Sequence, residues 1–301
     1  MKQQTIRQPF FFEGKGLHTG LHINAAFRPA PENSGILICR TDLPGRPCRP
    51  ALARYVAATE RGTVLADGEW RVSTVEHALS ALYAMGISNC LIEVDAPEMP
   101  ILDGSALPYV EAIEKAVIEE QEAEAKVWKV NEAITYTAQN GSTFVIEPSE
   151  ETQAEVEIHF PGNILHDQTA TLPHLSDYPK EISAARTFCF VREILPLLQH
   201  GLIKGGDLKN ALVIYEQPLS QEQMDSMTDM LGVSRLNATQ LGFLSPLHYH
   251  NEPARHKLLD LLGDLSLTGV RIIGKIHATR PGHGANTEFA KLLTKHITHN
   301  S

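Results

Sequence analysis

The sequence predicts an α+β protein built as two similar two-layer α/β sandwich domains, with the active site expected in the cleft between them. Three observations carry that expectation. A chain of 301 residues, 43% hydrophobic and 21% charged, supplies a large core at the length where one core usually divides in two. Short β-type runs dominate early in each half, and helical patterns follow them. Two stretches, "STVEHALSALYAMGISNCLIEV" and "NEPARHKLLDLLGDLSLTGVRIIGKIHA", each run cap, histidine in an early turn, leucine stripe, glycine stop, strand. That shared plan would bring two histidines on different helices together between the halves.

In chain order, β-type runs over residues 9–13, 21–27 and 35–39, then the Pro-rich 43–50, read as antiparallel sheet. A helix is predicted over 74–85, stopped at Gly86, then a strand over 90–94, a loop held by Pro97 and Pro100, and a helix over 107–118. The run "EEQEAEAK" has no apolar face and is read as the boundary, giving domains 1–123 and 124–301. Beyond it, strands are expected over 127–137, 143–148 and 154–160, where Val156, Ile158 and Phe160 alternate with polar residues. Helices are expected over 190–199, despite Pro196, and over 221–230 and 253–267. A strand over 271–278 and a helix over 287–296 close the chain, and the second domain carries an apolar insert near 190–215.

Composition narrows the function. With 26 basic against 36 acidic residues the formal charge is −10, which argues against nucleic acid as the main partner while leaving room for a local basic pocket. Cys39, Cys48, Cys90 and Cys189 form no C-x-x-C pair, so neither a disulfide framework nor a cysteine zinc site is indicated, and a reducing cytoplasm is expected. The N-terminus lacks an apolar signal region, and no window approaches the ~20 apolar residues of a membrane span. Fourteen histidines make imidazole the natural place to look for metal or acid–base chemistry.

On the helix over 253–267, Leu258, Leu261, Leu262 and Leu265 form one stripe, and His256, Asp260 and Asp264 lie on the other side. An ordinary wet face with an i,i+4 pair is one reading. The other is metal binding, since Cβ atoms about 6 Å apart let both His256 and Asp260 reach one ion. Asp264 lies ~12 Å along the axis from His256 and about 80° around it, so it suits a supporting role such as orienting a second histidine. On the first helix the His77 side carries Ser80, Ala81 and Ala84 with no Lys, Arg or Asp, which suits a closed cleft rather than solvent. His77 is the candidate third ligand and Glu76 a candidate base, although Ser73 and Glu76 also have capping-box spacing. Three ligands and an open position describe a catalytic zinc; there is no H-E-x-x-H.

His283 sits between glycines in the loop "RPGHG", where close backbone approach to a ligand is possible but a surface loop is also a fair reading. "GKGLHTG" misses the dinucleotide pattern and reads as a hairpin turn. Asp103-Gly104-Ser105-Ala106 reads as the cap of the next helix.

"GLHTG", "STVEHALSAL", "PILDGSA", "ARTFCFVRE", "GLIKGGD", "RHKLLDLLGDL" and "RPGH", in this order, closely resemble the UDP-3-O-acyl-N-acetylglucosamine deacetylases, zinc amidases of lipid A biosynthesis in Gram-negative bacteria. The resemblance spans nearly the whole chain. It implies that His77, His256 and Asp260 bind Zn2+, that Glu76 is the general base, and that His283, oriented by Asp264, acts as acid or oxyanion stabiliser. It also implies that Thr187 donates to the oxyanion, that Lys257, Phe188 and Phe160 contact substrate, with Phe160 against the uracil, and that residues 190–215 line a passage for the 3-hydroxyacyl chain. The implied reaction releases acetate from the UDP-linked substrate in the cytoplasm.

Two features depart from the pattern. Some relatives carry a basic residue in the strand before Pro148, where this chain has Ser142-Thr143-Phe144, leaving nucleotide contacts there open. Others continue into a fused acyl-carrier-protein dehydratase domain, whereas this sequence ends at Ser301. The alternatives are a binding protein with a structural zinc, which needs a fourth protein ligand, and phosphoester hydrolysis, which would call for two metals ~3.5–4 Å apart.

Overall fold

The computed structural model describes residues 1–162, 164–200, 202–231 and 241–299. Its first half runs through β1 (Lys2–Ile6), β2 (Phe10–Lys15), β3 (His22–Pro29), β4 (Ile36–Arg40), β5 (Cys48–Pro50), β6 (Val56–Ala58), β7 (Val64–Asp67) and β8 (Trp70–Val72). Helix α1 (Glu76–Ala84), β9 (Cys90–Val94), α2 (Leu107–Ala116) and β10 (Ile118–Glu124) follow. The second half opens with β11 (Val127–Lys129), β12 (Ile134–Thr137), β13 (Thr143–Glu147), β14 (Gln153–Ile158) and β15 (Gln168–Leu172). It continues with α3 (Tyr178–Glu181), β16 (Phe188–Phe190), α4 (Val191–Gln199), β17 (Leu212–Tyr215), α5 (Gln221–Leu231) and β18 (Gly242–Phe243). Helix α6 (Glu252–Ser266), β19 (Arg271–Ile273), β20 (Lys275–Thr279) and α7 (His283–His299) end the described chain.

Each half holds a five-stranded sheet, in the orders β2-β3-β9-β4-β5 and β12-β13-β20-β14-β15. The two have one topology. In both, the central strand pairs antiparallel on one side and parallel on the other, with antiparallel hairpins outside. Ile92 sits in register between Phe27 and Ile38, and Ile276 between Ile146 and Ala154, all buried. A helix precedes each central strand and another follows it, so the repeat read from the sequence is a repeat of folding plan, and the class is α+β as expected. One continuous core joins the halves where α1 packs on α6.

Helix α6 buries Leu258, Leu259, Leu261, Leu262 and Leu265 on the side of its own sheet. Burial of each such side chain contributes roughly 1.5–3 kcal/mol. The opposite face, with His256, Asp260 and Asp264, is buried too, so the wet-face reading of that helix does not hold. Gly263 explains how it can be covered: a Cβ there would stand 2.3 Å from the Glu76 carbonyl oxygen, so only glycine lets α6 come this close to the start of α1.

Several local expectations change. The acidic run after α2, read as the domain boundary, forms strand β10, paired antiparallel with β1, where Lys2 and the N-terminal ammonium lie against Glu124. The strand expected over 271–278 is split at Gly274, where a side chain would meet Val130 and the Glu147 carbonyl; β19 pairs with β11 while β20 enters the large sheet. No side chain caps α1: Ser73 Oγ donates to Pro97, and Glu76 is released from capping. Within the stretch 103–106 it is Ser105 Oγ that accepts the Leu107 N–H, while Asp103 accepts from the Ser105 N–H and hydroxyl. Cys39 and Cys48, directly opposite on β4 and β5, are joined as a disulfide, which corrects the expectation of none. No helix among the described residues is long and apolar enough to cross a membrane.

Candidate metal and acid–base site

Because Gly263 lets the helices touch, the first turn of α1 faces the first three turns of α6. The His77 and His256 rings stand 5.1 Å apart and perpendicular. One ligand atom each from His77, His256 and Asp260 lies within 4.8 Å of the others, and all three residues are buried. His256 Nδ1 donates to the Ala185 carbonyl at 3.0 Å, which leaves the Nε2 lone pair directed at the site, 3.4 Å from Asp260 Oδ1. Asp260 is fully buried, and its Oδ1 has no hydrogen-bond partner. A buried, charged acceptor left unsatisfied costs more than ~1–3 kcal/mol, a cost that a cation at this point removes. The donor set therefore fits a metal ion with three protein ligands and an open position.

Electrostatics suit the same purpose. Burial pushes the His77 imidazole down to about 3 and lowers His256, keeping both neutral and able to coordinate. Burial opposes ionisation of Asp260, but His256 and Lys257 hold its carboxyl well below the usual range, and Lys257 Nζ lies 2.7 Å from Oδ2.

Beside the donor set stands an acid–base pair. Glu76 accepts the Thr63 N–H through Oε2 at 3.0 Å, and its Oε1 faces His283 Nε2 at 3.8 Å. Burial pushes the Glu76 carboxyl up to about 7; His283 opposes this, and Asp260 and Asp264 add to it. Burial alone would lower His283, yet Asp260, Asp264 and Glu76 outweigh it and raise the imidazole to about 9. Asp264 Oδ2 accepts from His283 Nδ1 at 3.0 Å and from Asn286 Nδ2 at 2.9 Å, while its Oδ1 takes the Thr63 hydroxyl.

Of the other predicted residues, Phe188 and Lys257 adjoin this centre, and Thr187 and Phe160 lie next to Phe188. Thr187 is pinned by its N–H to the Gly104 carbonyl and by its own carbonyl to the Leu212 N–H, both 2.8 Å. The Phe188 ring lies 6.4 Å from His256 and 5.7 Å from Phe160, and Lys257 Nζ stands 5.4 Å over it. Thr187, Phe188, Leu17, Ile194, Leu197 and Val213 line an apolar cavity formed largely by the insert; Gly201 of that insert lies outside the described residues. Near Ser142 a cation comes from elsewhere: Arg280 Nη2 reaches the Gly141 carbonyl at 2.8 Å, and Ser142 Oγ donates to the Arg280 carbonyl at 2.6 Å.

Thr63, Asn286, Gly263 and the Ala185 carbonyl were not found from the sequence. Only Gly263 left a signal, a glycine inside an otherwise strong helical pattern. A second donor group, Glu155, Glu157 and His277, lies on an exposed or half-buried sheet face, where His277 Nδ1 pairs with Glu155 Oε1 at 2.9 Å.

Two topologically matched sheets, with paired helices that place a His-His-Asp donor set beside a buried carboxyl and imidazole, define an α+β protein with a metal-type site. The chain belongs to the UDP-3-O-acyl N-acetylglycosamine deacetylase family, whose sequence model matches residues 3–231 and 220–295. It is 51% identical over 302 residues to a bifunctional enzyme LpxC/FabZ of Porphyromonas gingivalis, covering 99% of this chain and 65% of that protein. The corresponding bifunctional enzyme of Bacteroides thetaiotaomicron is 49% identical over 300 residues, with coverage of 99% and 65%. The UDP-3-O-acyl-N-acetylglucosamine deacetylase of Myxococcus xanthus is 36% identical over 290 residues, covering 96% of this chain and 85% of that protein. The chain thus spans about two thirds of the length of the bifunctional relatives.

Proposed function

We propose that the chain hydrolyses the N-acetyl group of UDP-3-O-(3-hydroxyacyl)-N-acetylglucosamine, releasing acetate, with Zn2+ held by His77, His256 and Asp260, in the cytoplasm. The observation that carries this reading is the unpartnered, fully buried Asp260 Oδ1 facing two neutral imidazoles, one of them next in sequence to Glu76, a carboxyl tuned near neutrality. A zinc ion held by His77, His256 and Asp260 would supply Lewis-acid polarisation of the amide carbonyl and of the attacking water. Glu76 takes the proton of that water, a task suited to a carboxyl whose affinity for protons matches the working pH. His283, held in place by Asp264, carries a proton towards the departing amine, and Thr187 donates to the developing oxyanion. Lys257, Phe188 and Phe160 face the sugar nucleotide, with Arg280 supplying positive charge on the side where the strand before Pro148 lacks it. The apolar cavity takes the acyl chain.

The division of the chain near residue 124, and its place beside a dehydratase module in a longer protein, belong to the same reading; the names of the bifunctional relatives support the latter. Metal analysis and acetate release from the UDP-linked substrate test it. About one zinc per chain and acetate release that stops on chelation and returns with zinc are expected. A protein that binds no metal, or that releases no acetate when loaded, overturns it.

A further inference from the structure

Glu98 is fully buried, and its hydrogen-bond partners among the described residues are neutral donors. Its charge is met by donors from two separate places. Oε1 accepts the His18 N–H at 2.8 Å and the Thr74 hydroxyl at 3.2 Å. Oε2 accepts the Thr19 N–H at 2.9 Å and the Thr19 hydroxyl at 2.7 Å. Such a set stabilises a buried carboxylate and fixes everything attached to it.

One of those places is the hairpin turn spanning 16–20. The Glu98 carboxylate lies close against Gly16, where a Cβ would stand 2.2 Å from Oε2 and displace it. The far side of the turn is bonded to the insert: the Gly205 N–H donates to the Leu17 carbonyl at 3.0 Å, and a Cβ at Gly205 would stand 2.2 Å from the Gly16 carbonyl oxygen. Leu17 and His18 belong to the wall of the apolar cavity, next to Phe188. The other place is Thr74, two residues before Glu76. Its φ of 57° is costly for a β-branched residue and persists only where the surroundings hold it. The Ser73 N–H to Pro97 and the Met99 N–H to Ser73 complete that hold, at 3.0 and 2.9 Å.

We propose that Glu98 is a positioning residue that couples acyl-chain recognition to the catalytic helix. It keeps the cavity wall at Leu17 and His18 in fixed relation to the start of α1, so that a long acyl chain seated against that wall brings Glu76 and His77 into working position. Binding energy far from the reacting bond then serves the chemical step, and truncated substrates lose rate as well as affinity.

The inference rests on the deacetylase reading above, and its test separates the two. Full-length wild type is assayed with the long 3-hydroxyacyl substrate and with a short-acyl analogue; its preference is the ratio of the two kcat/KM values. In Glu98→Gln the amide NH2 faces donors and half of the acceptor set is lost, so that preference is expected to fall at least tenfold at unchanged zinc content. Thr19→Val, which removes one hydroxyl, is expected to raise KM for the long substrate several-fold at constant kcat. Thr74→Val is expected to lower kcat with KM constant, and these two variants carry the test if Glu98→Gln does not fold. A wild type that releases no acetate overturns the deacetylase reading. A wild type with a clear preference, beside variants that keep it or that lose kcat and KM together on both substrates, overturns the role of Glu98 alone.

Discussion

Asp264 and His283, nineteen residues apart, meet at 3.0 Å through Oδ2 and Nδ1, and the same carboxylate also holds the Thr63 hydroxyl and the Asn286 amide. Three donors from two segments, Thr63 and the first turn of α7, leave Asp264 no freedom to turn, and the imidazole it orients presents Nε2 to Glu76 and Asp260 at 3.8 and 3.7 Å. Replacing the carboxylate by an amide keeps the shape and removes one of the charges that raise His283. Asp264→Asn is therefore expected to retain its metal, lose roughly a hundredfold or more in kcat, and shift the alkaline limb of its pH–rate profile to lower pH. Unchanged kcat, or a limb that stays in place, would show that Asp264 does not act through His283.

With the roles proposed above, the pH dependence follows from Glu76 and His283 with opposite signs. Glu76 works deprotonated, so activity rises as pH passes its value, raised by burial to about 7. His283 works protonated, so activity falls as pH passes its value, raised by the surrounding carboxylates to about 9. A bound dication favours the ionised carboxylate and disfavours the imidazolium, which moves both limbs to lower pH. A bell is expected, with Glu76→Gln losing its acid limb and most of its rate while keeping zinc. Retention of that limb in Glu76→Gln assigns it to another group.

Gly263→Ala tests the helix contact on which the site depends. Its Cβ would stand 2.3 Å from the Glu76 carbonyl oxygen and 3.0 Å from the carbonyl carbon, backbone that cannot swing aside. The gain in helix propensity, about 1 kcal/mol, is smaller than the combined cost of overpacking, typically 1–3 kcal/mol, and of a displaced ligand set. Lower Tm together with weaker zinc retention is expected; a stabilised variant with normal zinc content would mean that the helices are free to separate.

How much of this was legible depended on whether a feature was local. The leucine stripe of α6, the i,i+4 placement of His256 and Asp260, and the exclusion of Asp264 from their shell follow from helical geometry alone. The uncharged small-residue face of α1 correctly implied cover. Thr63 and Glu98 could not be found this way, because their partners lie as far as 201 and 80 positions away. The strand within the acidic run was not legible for a related reason: β10 is stabilised by pairing with β1 across the whole first half, not by a face of its own.

The buried pair of Arg186 and Glu252 is expected to make stability fall on the acid side. Arg186 Nε reaches Glu252 Oε1 at 2.9 Å, the Arg186 N–H reaches it at 3.0 Å, and the His248 N–H reaches Oε2 at 2.6 Å. Burial works to raise the Glu252 carboxyl, but these donors outweigh it and the net shift is downward. A carboxyl lowered on folding contributes stability that is present above its unfolded value, ordinarily near 4.5, and is lost as pH falls through the folded value. Glu252 opens the helix that carries His256, and Arg186 adjoins the Ala185 carbonyl that orients it, so the pair also fixes the ligand set. Glu252→Gln strands a buried guanidinium and is expected to cost about 3–5 kcal/mol at pH 7. In denaturant unfolding followed from pH 7 downward, the gap between wild type and Glu252→Gln should narrow once the pH passes below the ordinary carboxylate range. A gap that stays constant to the acid limit would show that Glu252 holds the fold by shape and not by charge.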